Sequence, residues 1–479
     1  MFRAFSIAAA AFFLSIFTHS LHAQSPDSAR VFTQEELFEW LLLYHPVARQ
    51  ANLLDDEARA QLRMARGFFD PKLYSEWEQK SFDGSEYFTF GNSGLKVPTW
   101  YGLELKAAFN TATGIQVDPE HKLPAAGQAV LGINATLGRG MMIDERRAAL
   151  QQARIFEQSN EAQRRLVVND LLMDAVKAYW EWTAAYHQRE AILQALELAR
   201  VRQQGIVEAY RQGDKPAIDT LEAFIQVQTR QADLNDANVS YLNTGQMLSN
   251  FLWWENDTPL ELTGRLRPAP LDESVGSAVL PSVEELAQQA AENHPILKFY
   301  FLKINTLEVD RRLAAEQLKP QLDVEYNLLG NGLNLAYDAN GGGSSFNNLF
   351  FQNYKWGLQF NMPIFLRKER AKLELTRLKI QDSGLELQQK RLEVANKVRA
   401  YFNEWQNTQQ QVSLYQSMQT NYRALLDAEI TRFQLGESSI FLINAREQKL
   451  VEVQLKLLKL LAEFQKQRMY TEWAAGRLG

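Results

Sequence analysis

Apolar and polar side chains alternate along several short stretches of the chain. Tyr354, Trp356, Leu358, Phe360 and Met362 alternate with Lys355, Gly357, Gln359 and Asn361. Leu322, Val324, Tyr326 and Leu328 alternate with Gln321, Asp323, Glu325 and Asn327. The same period runs through Tyr101, Leu103, Leu105, Ala107 and Phe109, and again from Ala129 to Leu137. Leu73–Phe82 and Tyr87–Val97 are further strand candidates, giving two strands in the second half and two to four in the first. Period two puts one face of a strand in an apolar medium and the other in water. Eight to ten residues is the reach of a tilted transmembrane strand, although a half-buried strand of a soluble sandwich has the same pattern. The strand count separates the two. A membrane barrel needs about eight strands or more, and lipid does not tolerate an open sheet edge. If these strands span a membrane, several copies of the chain must pool them.

A different period governs the rest. From Ile443, Leu450, Val453, Leu457, Leu460 and Phe464 follow in steps of three and four residues, interrupted only by Arg446. A second series, Val451, Leu455, Leu458, Ala462, Met469 and Trp473, is displaced by about one position. One such seam makes an ordinary coiled coil; two let a helix touch a neighbour on each side, as a stave does in a closed ring. Residues 218–252 repeat this more weakly, with Phe224, Val227, Leu234 and Tyr241 beside Leu221, Ile225, Val239 and Leu242. Helices near 141–212 and 367–435 would each extend ~100 Å at 1.5 Å per residue. An extended coiled-coil scaffold fits these helices but leaves the strands unexplained.

Punctuation shows one unit written twice. Residues 33–73 and 282–322 match at a constant offset: Thr33 faces Ser282, His45-Pro46 faces His294-Pro295, and Pro71 faces Pro320. Further on, Ala178-Tyr179-Trp180 pairs with Ala400-Tyr401-Phe402, and the Gly213 turn pairs with the Gly436 turn. Prolines 259, 268, 270 and 281 mark residues 258–281 as a linker. The expected organisation is a first repeat over 24–257, with strands about 73–137 and long helices about 141–257. A second repeat covers 282–479, with strands about 321–362 and long helices about 367–475. Residues 83–128 are longer than the matching 330–353, which predicts an extra hairpin or an extracellular elaboration.

Composition adds a compartment and several exclusions. A lone Arg3, an apolar run from Ala4 to Phe17 and Ala23 before Gln24 are the parts of a secretory signal, expected to occupy 1–23. The run is short for a membrane anchor. The chain has 479 residues and no cysteine, which excludes disulfides, thiolate metal sites and a lipidated N-terminal cysteine. With 51 basic and 57 acidic side chains it is no dedicated nucleic-acid binder. Histidines 19, 22, 45, 121, 187 and 294 include no metal-ligand spacing, and no phosphate loop, nucleophile elbow or catalytic constellation appears. No metal and no cofactor is expected.

Three local patterns, each occurring twice, carry a resemblance over the whole mature chain. They are Leu43-Tyr-His-Pro-Val47 with Glu292-Asn-His-Pro-Ile296, the strand-to-helix junctions Leu137-Gly-Arg-Gly140 and Met362-Pro-Ile-Phe365, and the turns opening at Gly213 and Gly436. With the signal and the duplication, these resemble the TolC-like outer-membrane factor family. The resemblance implies a mostly α fold with a membrane β-barrel portion, a duplicated helix-strand-strand-helix-helix unit. It implies a homotrimer in the outer membrane of a Gram-negative bacterium, whose copies pool strands into a β-barrel and helices into a long periplasmic α-barrel. It further implies a passive efflux duct that docks a periplasmic adaptor and an inner-membrane pump of RND or ABC type; an exit duct for type I protein secretion is the alternative within the family. The adaptor-docking tips would carry Gly213, Asp214, Gly436, Glu437 and Ser438. The gate or lumen would draw on Asp219, Glu222, Asp427, Glu429, Arg432 and Asn444. Asn444 stands where relatives often place an acid, and the second turn reads as one residue shorter than the first. His45, Pro46, His294 and Pro295 are the structural repeat motif.

Overall fold

A computed structural model of the chain describes residues 30–115, 117, 122–262, 266–335 and 352–478. The expected signal 1–23, with His19 and His22, His121 and most of the 330–353 loop therefore lie outside the described residues. The chain forms two compact units.

One unit takes in Val47–Leu171, Pro281–Phe402 and the chain from Tyr470. The helix α2 (Pro46–Gly67) leads into β2 (Lys72–Phe82), β3 (Ser85–Pro98), β4 (Leu103–Thr113) and β5 (Gln128–Gly138), after which α3 (Glu145–Arg211) begins. The later half supplies α5 (Val283–Asn293), α6 (Pro295–Glu316), β9 (Gln321–Leu329), β10 (Tyr354–Asn361) and the start of α7 (Arg367–Gln434). All six long strands join one antiparallel sheet in the order β10-β9-β5-β4-β3-β2. Both weaker strand candidates of the first half are real. The β2–β3 connection is a two-residue turn with Asp83 and Gly84 at φ of 53° and 72°, the left-handed pair that a tight hairpin demands. The extra length of the first half is thus spent on a paired hairpin in the same sheet.

The other unit takes in the described chain up to Pro46, Leu172–Leu280 and Asn403–Met469. It holds β1 (Arg30–Phe32), α1 (Gln34–Tyr44), the remainder of α3, α4 (Ala217–Ser249), the short pair β6 (Trp253–Trp254) and β7 (Thr258–Pro259), the later part of α7 and most of α8 (Ile440–Ala474). Thr33 and Glu36 close a capping box on α1. Trp182 and Tyr179 are fully buried in this unit, and the Tyr179 hydroxyl donates to the Phe32 carbonyl at 2.8 Å. Burial pushes that phenol up to about 12. Much of the linker is pinned down: β8 (Leu266–Pro268) pairs with β1, and Gln409 and Gln416 of α7 donate to the carbonyls of Val275, Ala278 and Glu273.

The seams of α8 are both packed. Ile443, Leu450, Val453, Leu457, Leu460 and Phe464 are buried, and Val451, Ala462 and Met469 of the second series are buried too. In α4, Leu234 is buried while Leu221, Ile225, Val239 and Leu242 stand more than half exposed. In α7, Leu375, Leu378, Leu385 and Leu392 form another exposed series at coiled-coil spacing. Some seams therefore lack a partner among the described residues of one chain.

Candidate functional site

Two regions carry the features that bear on function: the turns joining the long helices, and the sheet. Each helix pair turns on one glycine. Gly213 has φ of 84°; its N–H donates to the Tyr210 carbonyl at 3.0 Å, and the Asp214 N–H reaches back to Ala209 at 2.9 Å. Gly436 has φ of 80°, with the same crossed bonds from Gly436 to Phe433 (3.1 Å) and from Glu437 to Arg432 (2.9 Å). This is the Schellman closure of a helix, and the positive φ is what calls for glycine. No atom lies within 4 Å of where a Cβ would sit at either position, so conformation and not space sets the requirement. α3 ends at Arg211 and α4 starts at Ala217; α7 ends at Gln434 and α8 starts at Ile440. Both loops thus have equal length, which corrects the shorter second turn expected from sequence: each helix restarts at the same distance beyond its closing glycine.

The two tips differ in their side chains. Glu429 of α7 is buried and accepts from the Ser438 hydroxyl at 2.6 Å. Arg446 and Arg432 stand 3.7 and 3.8 Å from its carboxylate. The Ser438 hydrogen bond, helped by both guanidiniums, holds this carboxyl below its ordinary range. Arg432 also donates to the Glu437 carbonyl at 3.3 Å. The first tip has no such cluster among the described residues. Asp214 is exposed, Asp219 and Glu222 are half-buried on the first turns of α4, and Lys215 lays its ammonium 4.0 Å from the Phe433 ring centre. Asp427 is exposed on α7.

A stronger link ties the hairpins together. Arg202 of α3 forks onto the buried Glu447 of α8 at 2.5 and 3.0 Å, and its guanidinium stands 3.4 Å from the Asn444 amide oxygen. Sequence reading singled out Asn444 but missed Arg202 and Glu447. Arg446 was visible only as a break in the α8 seam. The available signal was one turn of helix: Glu447 follows Asn444 by three residues. Which α3 residue faces it depends on the register between two helices far apart in sequence.

The repeat motif is structural. His294 is buried; its Nδ1 accepts the Ile296 N–H at 3.1 Å, capping α6, whose first residue is Pro295. Burial, with Lys397 nearby, pushes its pKa down to about 4. His45 is also buried before Pro46 and stacks on Phe251 with centroids 6.1 Å apart; burial lowers its pKa too.

The sheet has two unlike faces. Paired rung by rung, Leu95, Ala107, Leu131, Leu328 and Tyr354 share one side, as do Val97, Leu105, Ile133, Tyr326 and Trp356. The other side carries Lys96, Lys106, Asn327 and Lys355 on one rung and Glu104, Asn134 and Glu325 on the next. Lys106 meets Glu325 at 3.8 Å and Thr136 donates to Asp323 at 2.6 Å on this polar side. Trp100 and Tyr101, both exposed, occupy the β3–β4 turn, and Trp100 stacks on Phe69 at 4.4 Å. Aromatic rings at strand ends beside an apolar band are the marks of a strand wall in lipid. Among the described residues no helix is long and apolar enough to cross a membrane, and no group of side chains could hold a metal ion.

Residues 286–469 match the family of outer membrane efflux proteins. That match covers less than half of the chain, and the chain as a whole has the fold of solved outer membrane channels. Solved channels similar to it include the Campylobacter jejuni CmeC outer membrane channel, 12% identical over 93% of this chain and 85% of that one, with a TM-score of 0.61. VceC of Vibrio cholerae is 13% identical over 92% and 96%, at 0.62. The open state of the Neisseria gonorrhoeae MtrE channel is 14% identical over 92% and 88%, at 0.64. No curated protein sequence matches the chain.

Proposed function

We propose that the protein is the outer-membrane duct of a tripartite efflux system, a passive homotrimer that takes small molecules from a periplasmic adaptor and an inner-membrane pump of RND or ABC type. The observation that carries this reading is the sheet. Six strands with one apolar face and two open edges cannot sit in lipid alone, and copies arranged in a ring satisfy every edge. The exposed seams of α4 and α7 fit the same ring, since each helix then finds its second neighbour in the next copy. The coiled-coil scaffold leaves the apolar sheet face without a purpose. Gly213, Asp214, Gly436, Glu437 and Ser438 form the tips offered to the adaptor.

Selection in such a tube falls to bore, lumen charge and gate. Arg202, Glu447 and Asn444, with the Glu429, Ser438, Arg432 and Arg446 cluster, latch the tip in its closed arrangement. The test is an outer-membrane fraction run on a mild-detergent gel, followed by planar-bilayer recording. A trimer band and channels whose conductance rises in Arg202→Ala and Arg432→Ala support the reading. A monomer soluble without detergent overturns the duct, and a trimer whose conductance ignores both substitutions moves the gate elsewhere.

A further inference from the structure

The β2–β3 hairpin is the part of the sheet that the duplicated pattern does not require: among the described residues the second half supplies two of its strands and the first supplies four. Its placement is specific. β3 pairs with β4 from Thr89↔Thr113 to Pro98↔Glu104, and β4 pairs with β5 from Leu103↔Ala135 to Asn110↔Gln128. The hairpin therefore spans the same height as the strands beside it and is not stacked above them. Its faces keep the same phase at the rungs nearest the helices, with the Ser75–Ser93 pair set between the apolar positions. Leu73 and Trp77 lie on the apolar side, opposite Leu95 and Gly91. A Cβ at Gly91 would come within 2.8 Å of the Trp77 ring, so the glycine makes room for an indole laid along the apolar face. On the polar side Lys72 and Lys96 continue the rung of Lys106 and Lys355, and Glu76 and Asn92 continue that of Asn110.

The two outer edges also match. Every neighbouring pair is antiparallel and the strands number six, so β2 and β10 run in opposite directions. A ring of copies then closes through one more antiparallel pair. Leu73 and Trp77 on one edge and Trp356, Leu358 and Phe360 on the other are well exposed on the same face, so closure keeps the apolar band continuous.

Building on the trimer proposed above, we propose that the β2–β3 hairpin forms part of the membrane wall. Neighbouring copies join β2 to β10, and three copies close a barrel of eighteen strands. Barrels of about 16–18 strands enclose an aqueous channel that side chains do not fill. The membrane portion of this duct is accordingly wide, its lining mixes lysines with acids, and selection is left to the helix tips.

The absence of cysteine lets introduced pairs report without background. Within one sheet β2 and β10 are five strand spacings apart, about 24 Å, beyond a short bismaleimide. In the full-length protein in outer membranes, Ser75→Cys with Leu358→Cys, and Glu78→Cys with Gln359→Cys, are expected to cross-link into covalent dimers and three-copy rings. Thr111→Cys on β4 with Leu358→Cys is expected to give none. The reverse result, β4 linking to β10 while β2 does not, overturns the inference and leaves the trimeric duct standing. No link from either strand, with a monomer on the mild-detergent gel, overturns both. Spin labels at positions 75 to 79 provide a second readout. Alternating contact with lipid-soluble oxygen and water-soluble nickel chelate supports a wall, and uniform contact with the aqueous reagent overturns it.

Discussion

The two helix tips share a backbone and differ in their bracing. Both close on a glycine at φ near 80° with the same pair of crossed hydrogen bonds. The second tip adds a buried acid held by Ser438, Arg432 and Arg446, whereas the first offers exposed or half-buried acids. A turn can be fixed by backbone geometry alone, so side chains added beyond that need serve something else. Here they fasten α7 to α8 beside the Arg202–Glu447 link that joins the two hairpins. The second tip has a side-chain brace that the first lacks among the described residues.

The largest effect is expected where the hairpins are joined. Glu447→Ala leaves the Arg202 guanidinium facing a mostly buried site, at a cost of about 2–3 kcal/mol because the arginine keeps some exposure. Thermal unfolding and bilayer recording should show a lower midpoint and a higher conductance together. Arg202→Met with Glu447→Leu should recover most of the stability without recovering closure; recovery of both would make the pair mere packing.

Next come the glycines. Gly213→Ala and Gly436→Ala should each cost about 1 kcal/mol from the positive φ, and equally, because neither Cβ meets another atom. Unequal losses in unfolding would show that one tip is restrained by more than its turn.

Ser438→Ala should lower the unfolding midpoint measurably, because it removes a hydrogen bond to a charged partner, whereas Asp214→Ala on the first tip should be neutral to within about 0.5 kcal/mol. Acid should separate the tips in the same way. The Glu429 carboxyl is depressed in the folded protein, so its contribution is complete above the ordinary carboxylate pKa and disappears as pH falls through the depressed value. Hydrogen exchange near 436–440 should therefore quicken at low pH more than exchange near 213–217. Equal acceleration at both tips would remove the distinction.

Much of this was legible along the chain. Period-two alternation located the sheet because each strand has one wet and one dry face, a property of neighbouring residues. The glycine turns were legible for the same local reason. His45 and His294 could be read as structural because their prolines and their repetition fixed where a helix begins. The charged links were not: Arg202 and Glu447 are 245 positions apart in the chain, and no local period records the rotation of one helix against another.

What the sequence by itself determined is the set of elements and their amphipathic faces, since these follow from local periodicity. What only the tertiary structure decided is which faces meet. The extra length of the first half became a hairpin within the sheet; Glu447, an ordinary acid in sequence, and Glu429, a gate or lumen candidate there, both became buried anchors. Register between distant segments is set by packing the whole unit at once, so it is a property of the fold and not of any stretch of chain.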